Sequence, residues 1–309
     1  MNTPSNTMPE SHVAAQADAP AMMVRTRPFY WSVRRELWEN RSIYFVPLIA
    51  AIVFLAGFVI NTIILRGRMH GIWPTDPAQQ HEMLAAPYEL AAVLIMGAAF
   101  LVGIFYSLET LYGERRDRSI LFWKSLPVSD LTAVLAKVTV PLVILPLLSF
   151  AITLITQALM LLLSSLVLLG SGLSVATIWT HSSLFHVSGV LFYHIVTVHG
   201  LWYAPIYGWL LFVSAWAPRA PFIWAFLPPF LICGVENLAF KTTYFFSLLM
   251  HRLSGPEVPA TTHSSNLMHA MSALTPAQFF SEPGLWIGLA IFAGFVAAAV
   301  RLRRYRGPI

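Results

Sequence analysis

The chain has 309 residues, of which 57% are apolar, 13% aromatic and 11% charged, against roughly 25% charged in an average soluble domain. Between Lys137 and Arg219 lie 81 residues without an Asp, Glu, Lys or Arg, and no soluble surface can be built from them. Disorder and collagen-like structure are excluded for the body of the chain, because polar sequence without an apolar run is confined to residues 1–24. An integral membrane protein remains. The formal net charge of +5 then reads as topology and not as a nucleic-acid footprint, and the single Cys233 offers no disulfide framework or cysteine metal cluster.

Residues 1–24 read as a disordered tail and lack the apolar core of a signal peptide. Residues 28–41 predict an interfacial helix, with a basic flank of the first span as the alternative. Phe29, Val33 and Leu37 share one arc while Arg35, Glu36 and Glu39 lie elsewhere, and Pro28 suits its first turn. The first span is expected at 43–65, enough to cross a hydrocarbon core of about 30 Å, and the second at 90–108, between Glu89 and Glu109. The third, at 138–169, would be about 48 Å long as one helix, so it protrudes or bends at Pro141 and Pro146. A polar stretch, 170–186, precedes a fourth span at 187–215. The fifth, at 222–240, is interrupted by Pro228, Pro229 and Glu236, and the sixth is expected at 285–300.

Six spans with the N-terminus inside place fifteen Lys and Arg on that side and Arg66, Arg68, Lys241 and Arg252 on the other. That bias makes both termini cytoplasmic. The outer loop 241–284 contains an apolar patch, Tyr244–Met250, too short to cross. It predicts a re-entrant or surface-lying helix, with an ordinary outer loop as the alternative.

The inner loop after span two, GERRDRSILFWKSLPVSD over 113–130, sets Glu114, Arg115, Arg116, Asp117 and Arg118 in a row and follows them with Ile120, Leu121, Phe122 and Trp123. A charged turn followed by an apolar one suits a short helix that docks on a protein surface outside the bilayer. Pro127 stops it, and Ser129 or Asp130 can cap the helix of span three. A charged loop that only enforces topology is the plainer alternative.

This loop resembles the cytoplasmic loop of type-2 ABC exporter permeases, matching at Glu114, Arg115, Ser119, Leu126, Pro127 and Ser129. The span count, the helix before span one and the long outer loop are similar too, so the likeness covers nearly all of the chain after residue 25. Arg118 stands where that family frequently has Gly, and Phe122-Trp123 is bulkier than usual. The resemblance implies an all-α permease in a bacterial inner membrane, paired as a homodimer or with a homologue. It also implies a coupling helix formed by Glu114, Arg115, Arg116, Asp117, Arg118, Phe122 and Trp123 that touches a cytoplasmic ABC ATPase subunit. No Gly-x4-Gly-Lys-Ser/Thr cradle occurs in this chain, so ATP and Mg would be held by the partner. ATP-driven closure of that partner would push on 114–124 and tilt spans one, two and five.

Glu236, followed by Asn237, is the clearest ionisable group at membrane depth and a candidate pathway residue, with snorkelling to water as the alternative. Tyr203 and Tyr207, four apart in span four, are candidate lining residues. Proton-coupled transport through Glu236 and the span-four histidines is a second class of function. A metalloenzyme built on His181, His186, His194 and His199 is a third, disfavoured because His194 and His199 are five apart and lie about 140° around a helix.

Overall fold

The computed structural model describes residues 27–66, 77–125, 127–169, 184–255 and 276–309. The predicted tail, Leu126, His181 and most of the 170–186 stretch lie outside them. Every regular element among the described residues is helical. Five helices are long and apolar enough to cross a membrane: Ser42–Thr62, Ala86–Arg116, Asp130–Leu166, Pro221–Phe240 and Pro283–Tyr305. A sixth crossing forms if Gly189–Trp202 and Ala204–Trp216, bent by 43° at their junction, count as one span. The chain is an all-α, multi-pass membrane protein.

Helix α1 (Pro28–Glu39) precedes α2 (Ser42–Arg66), the first span. Leu37 of the expected apolar arc packs on the core beside Ile43, but the most buried residue of α1 is charged. Glu36 is its buried residue, whereas Phe29, Tyr30, Trp31 and Trp38 point outward. Arg34 lies over the rings of Trp31 and Trp38, at 5.2 and 4.5 Å from their centroids. The aromatic face suits a membrane interface, and the charged edge turns into the protein.

Helix α3 (Pro77–Arg116) is 40 residues long, about 60 Å at 1.5 Å per residue, roughly twice the 90–108 expected from hydropathy. The apolar window closes at Glu109, but nothing in the following two turns breaks a helix until Arg118, whose φ of 57° ends it. Residues 114–116 therefore close α3 and do not open the short helix, which begins only at Ser119. That helix, α4 (Ser119–Ser125), is followed by α5 (Asp130–Thr139), N-capped by Ser129, whose Oγ accepts from Thr132 N at 3.1 Å.

Pro141 does not break span three. It falls in a π-helical turn, Val140–Ile144, that joins α5 to α6 (Leu145–Leu169). One extra residue in the turn accommodates the missing proline N–H. Span four carries a second π-helical segment, Ile195–Trp202, between α7 (Leu184–His194) and α8 (Ala204–Trp216). Span five, α9 (Pro221–Phe240), runs unbroken through Pro228 and Pro229, contrary to the expected interruption. A membrane helix tolerates prolines where the groups they free are satisfied locally.

The remaining elements are α10 (Tyr244–Ser254), α11 (Pro276–Ser281) and α12 (Pro283–Tyr305). The core gathers where α3, α5, α8 and α12 meet, around Leu111, Val134, Val138, Leu211, Ala215, Val296 and Ala299. Helix α8 packs so closely on α12 that a Cβ at Gly208 would lie 2.7 Å from Phe292 Cδ2. Helix α3 is central, with half of its most apolar window buried, and α9 is peripheral, with 6%.

Helix α10 turns back into the bundle. Trp202 Nε1 donates to Arg252 O at 3.1 Å and Tyr203 Oη to Leu253 O at 3.0 Å. The Tyr203 ring packs 5.2 Å from Phe100, which lies midway along α3 between Glu89 and Glu109. The end of α10 thus packs on the joint of the bent span-four pair and, through Arg252, on the first turn of α12, so the segment is helical and held against the bundle.

Candidate functional site: a short helix anchored on a buried charge cluster

At the end of the bundle that carries residues 109–137, four elements bring ionic side chains together in the interior. Lys137, two turns into α5, is 2% exposed and donates from Nζ to Glu36 Oε1 and to Thr110 Oγ1, both at 2.8 Å. It also stands 3.2 Å from Glu114 Oε1. Arg35 Nη2 reaches Glu36 Oε1 at 2.7 Å and Glu114 Oε1 at 2.9 Å. Arg303 of α12 donates to Glu114 Oε2 at 3.3 Å and also holds Asp130. Tyr106 Oη and Thr110 Oγ1 donate to Glu36 Oε2 at 2.8 and 3.2 Å.

Three cations, Arg35, Lys137 and Arg303, thus balance three carboxylates, Glu36, Glu114 and Asp130. A buried ion pair survives only when its remaining hydrogen-bonding capacity is used, and the hydroxyls of Tyr106 and Thr110 supply that here. Burial alone would raise the Glu36 carboxyl, but Lys137 and then Arg35 more than offset it and hold it below the ordinary carboxylate range.

The seven residues of the expected coupling segment divide into two groups. Glu114 and Arg115 are buried. Glu114 sits in the charge cluster, and Arg115 Nη1 donates to Ala215 O at 2.7 Å and Ala217 O at 3.2 Å, tying α3 to the turn after α8. Arg116, Asp117, Arg118 and Phe122 are exposed and Trp123 is half-buried. Arg116 pairs with Glu109 at 2.7 Å and with Asp117 at 3.0 Å. Arg118 occupies the left-handed region, which glycine adopts without strain.

Helix α4 is fixed at two points. The guanidinium of Arg35 lies 3.8 Å from the centroid of the Trp123 ring, a cation–π contact to α1. Lys124 Nζ donates to Arg304 O at 3.3 Å and Arg306 O at 3.4 Å beyond α12. A cavity of about 280 Å3 between α1, α4 and α5 is lined by Trp31, Arg35, Glu36, Trp123, Pro127 and Arg303. Leu121 and Phe122, 58% and 60% exposed, point away from all of this.

The four candidate pathway residues do not form one group. Glu236 accepts from Tyr244 N at 2.7 Å, Phe245 N at 2.9 Å and Thr242 Oγ1 at 3.0 Å. It caps the N-terminus of α10, a job that satisfies helix donors. Asn237 is exposed beside it, and its carbonyl accepts from Lys241 N at 3.2 Å at the turn. Tyr203 and Tyr207 lie at the other end of α10, with rings 5.2 and 6.0 Å from Phe100. Tyr207 is fully buried. The rings of His194 and His199 are 6.1 Å apart, the side chain of His186 is outside the described set, and no group of three His, Cys, Asp or Glu that could hold a metal occurs among the described residues.

Residue spacing gave little notice of the cluster, because Glu36 and Lys137 are 101 positions apart and Glu114 and Arg303 are 189 apart. The available signal was Lys137 itself, standing beside an apolar run of 32 residues. No known family, curated protein or solved structure matches the chain.

Proposed function

We propose that this chain is the permease subunit of an ABC exporter, driven by ATP hydrolysed on a separate cytoplasmic subunit and working as a dimer of permeases. One observation carries the reading. Between the second and third spans, at the end that the Lys and Arg distribution makes cytoplasmic, a seven-residue helix turns Leu121 and Phe122 outward while Trp123 and Lys124 fix it to the protein. Large apolar side chains held rigidly at an aqueous surface are what a protein partner recognises. The likeness of the loop to type-2 exporter permeases supplies the class of partner.

The roles within 114–123 then separate. Phe122, with Leu121 and the exposed Arg116, Asp117 and Arg118, forms the docking face, and Glu114 and Arg115 transmit. A push on α4 passes through Trp123 and Arg35 to the cluster. The cluster moves as a unit because parting any of its pairs leaves an uncompensated buried charge. It joins α1 to spans two, three and six, whereas α9 packs on α3, α8 and α10. The parts that move together are therefore α1 and spans two, three and six, with span five following. Coupling through Glu236 finds less support, since its carboxylate already caps α10.

The test is purification of the full chain from its native membrane. A P-loop ATPase subunit is expected to accompany it, and vesicles holding the complex should show ATP-dependent transport. Leu121→Asp/Phe122→Asp should lower recovery of the ATPase by about tenfold or more with an unchanged melting profile. Absence of a P-loop subunit together with transport that follows a proton gradient without ATP would overturn the proposal.

A further inference from the structure

The charge cluster draws its members from α1 and from spans two, three and six. A second set of contacts, at the same end of the bundle, reaches spans four and five. Arg306 takes the chain out of α12 into extended backbone, with φ −89° and ψ 138°, and residues 306–309 then bond to three other elements. Lys124 of α4 donates to the carbonyls of Arg304 and Arg306. The amide of Ile309 donates at 3.2 Å to Arg115 O at the end of α3, and Arg306 Nη1 donates to Trp216 O at the end of α8.

These bonds meet a specific need. The last carbonyls of a helix have no partner within it, and cations are favoured there because the helix dipole ends negative. Lys124 serves the end of α12 in this way. Arg115 and Arg306 together serve the end of α8, where Ala215 O, Trp216 O and Ala217 O are taken in succession. Three residues on, Ala220 stands in the left-handed region at φ 45°, and α9 begins at the next residue. Alanine keeps that conformation only where its surroundings fix it. The entry to span five thus follows directly on a turn that two arginines hold, and one of those arginines belongs to the segment that Lys124 grips.

We propose that residues 306–309 form a strap that passes motion of α4 to the turn between spans four and five, with Arg306 as its positioning residue. Lys124 links α4 to the strap, and Arg306 links the strap to Trp216. This deepens the permease reading by adding spans four and five to the parts that a docked partner moves. It rests on that reading for its use in transport and not for the link itself, which needs no ATPase.

Hydrogen exchange read by mass spectrometry, on the full-length protein in a neutral detergent, tests the link from both ends. Arg306→Ala should raise exchange by about tenfold in 217–226 and also in 119–125, although the side chain it removes bonds at Trp216. Lys124→Met should raise exchange in 217–226 as well as in α4, because coupling between two sites is reciprocal. Arg306→Lys, which keeps the charge and a donor, should stay near the wild type. A chain ending at Tyr305 should match Arg306→Ala and stands in for it if that variant does not fold. In vesicles holding the complex, Arg306→Ala should leave ATP hydrolysis in place and lower transport per ATP by about fivefold or more, a split that a merely structural anchor would not produce. Exchange that rises in each variant only where its own side chain bonds, or an unaltered transport per ATP, overturns the proposal. Reciprocal exchange in a protein that carries no ATPase subunit would overturn the permease reading and leave the strap standing.

Discussion

Lys137 has four oxygen atoms of Glu36, Glu114 and Thr110 within 3.4 Å of its Nζ and almost no exposure, so replacing it should reveal what the cluster contributes. Lys137→Met removes one of three cations and leaves three carboxylates, two of them buried, facing two, and Glu36→Gln leaves the reverse imbalance. Removing one partner of a buried pair costs about 3–5 kcal/mol, whereas removing both together is often nearly neutral. The double variant Glu36→Gln/Lys137→Met restores two against two, and its cost should fall below that of either single variant, a shortfall from the sum of at least about 3 kcal/mol. Unfolding free energies from denaturant titration in mixed micelles, arranged as a double-mutant cycle, measure this. Single variants below about 1 kcal/mol, or additivity within about 0.5 kcal/mol, would refute a cluster that holds α1, α3, α5 and α12 together.

The same carboxyl sets a pH response. Glu36 is held below the ordinary value of 4.5, so the unfolded chain takes up its proton more readily than the folded one. Its contribution is present above the ordinary carboxylate value and is lost as pH falls through the folded value. Melting profiles should show a steep acid loss in the wild type below that range and a shallower one in Glu36→Gln; parallel profiles would contradict it. Gly208→Ala would force Phe292 aside at the α8–α12 contact, at a cost of about 1–3 kcal/mol, and a wild-type unfolding midpoint would count against the packing described. Arg118→Gly should stabilise by up to about 1 kcal/mol, since it relieves a left-handed residue, and Arg118→Val should destabilise; equal effects would argue against the positive φ.

Hydropathy carried the positions of the spans because lipid demands long apolar helices whatever their neighbours are. Their true lengths were less legible. The apolar window of α3 ends at Glu109, but its backbone continues to Arg116 because the charges that follow find partners inside the protein. Pro141 read as a possible bend and falls in a π-helical turn, and Pro228 and Pro229 read as interruptions and are absorbed within α9. Glu36 belongs to an edge that looks solvated in isolation, and only the arrival of Lys137, 101 residues later, makes it the interior face of α1. Of the candidate site, the exposed apolar turn at Leu121 and Phe122 was legible from the order of charged and apolar turns. The burial of Glu114 and Arg115 was not, because a row of five charges carries no mark of which ones will be paired. Arg252 was counted as an outer-loop charge, and nothing in the residues around it announced that its guanidinium would rest on Trp202 and the Gly284 carbonyl.

The central claim, a cytoplasmic ATPase docked on the outward face of α4, is tested most directly by a photo-reactive residue placed at Phe122 in the full chain and activated in native membranes. The predicted result is one major adduct whose partner peptide belongs to a soluble protein with a Gly-x4-Gly-Lys-Ser/Thr sequence, while the same probe at Leu227, on the outer face of α9, labels lipid. An adduct at position 122 formed with lipid alone would contradict it.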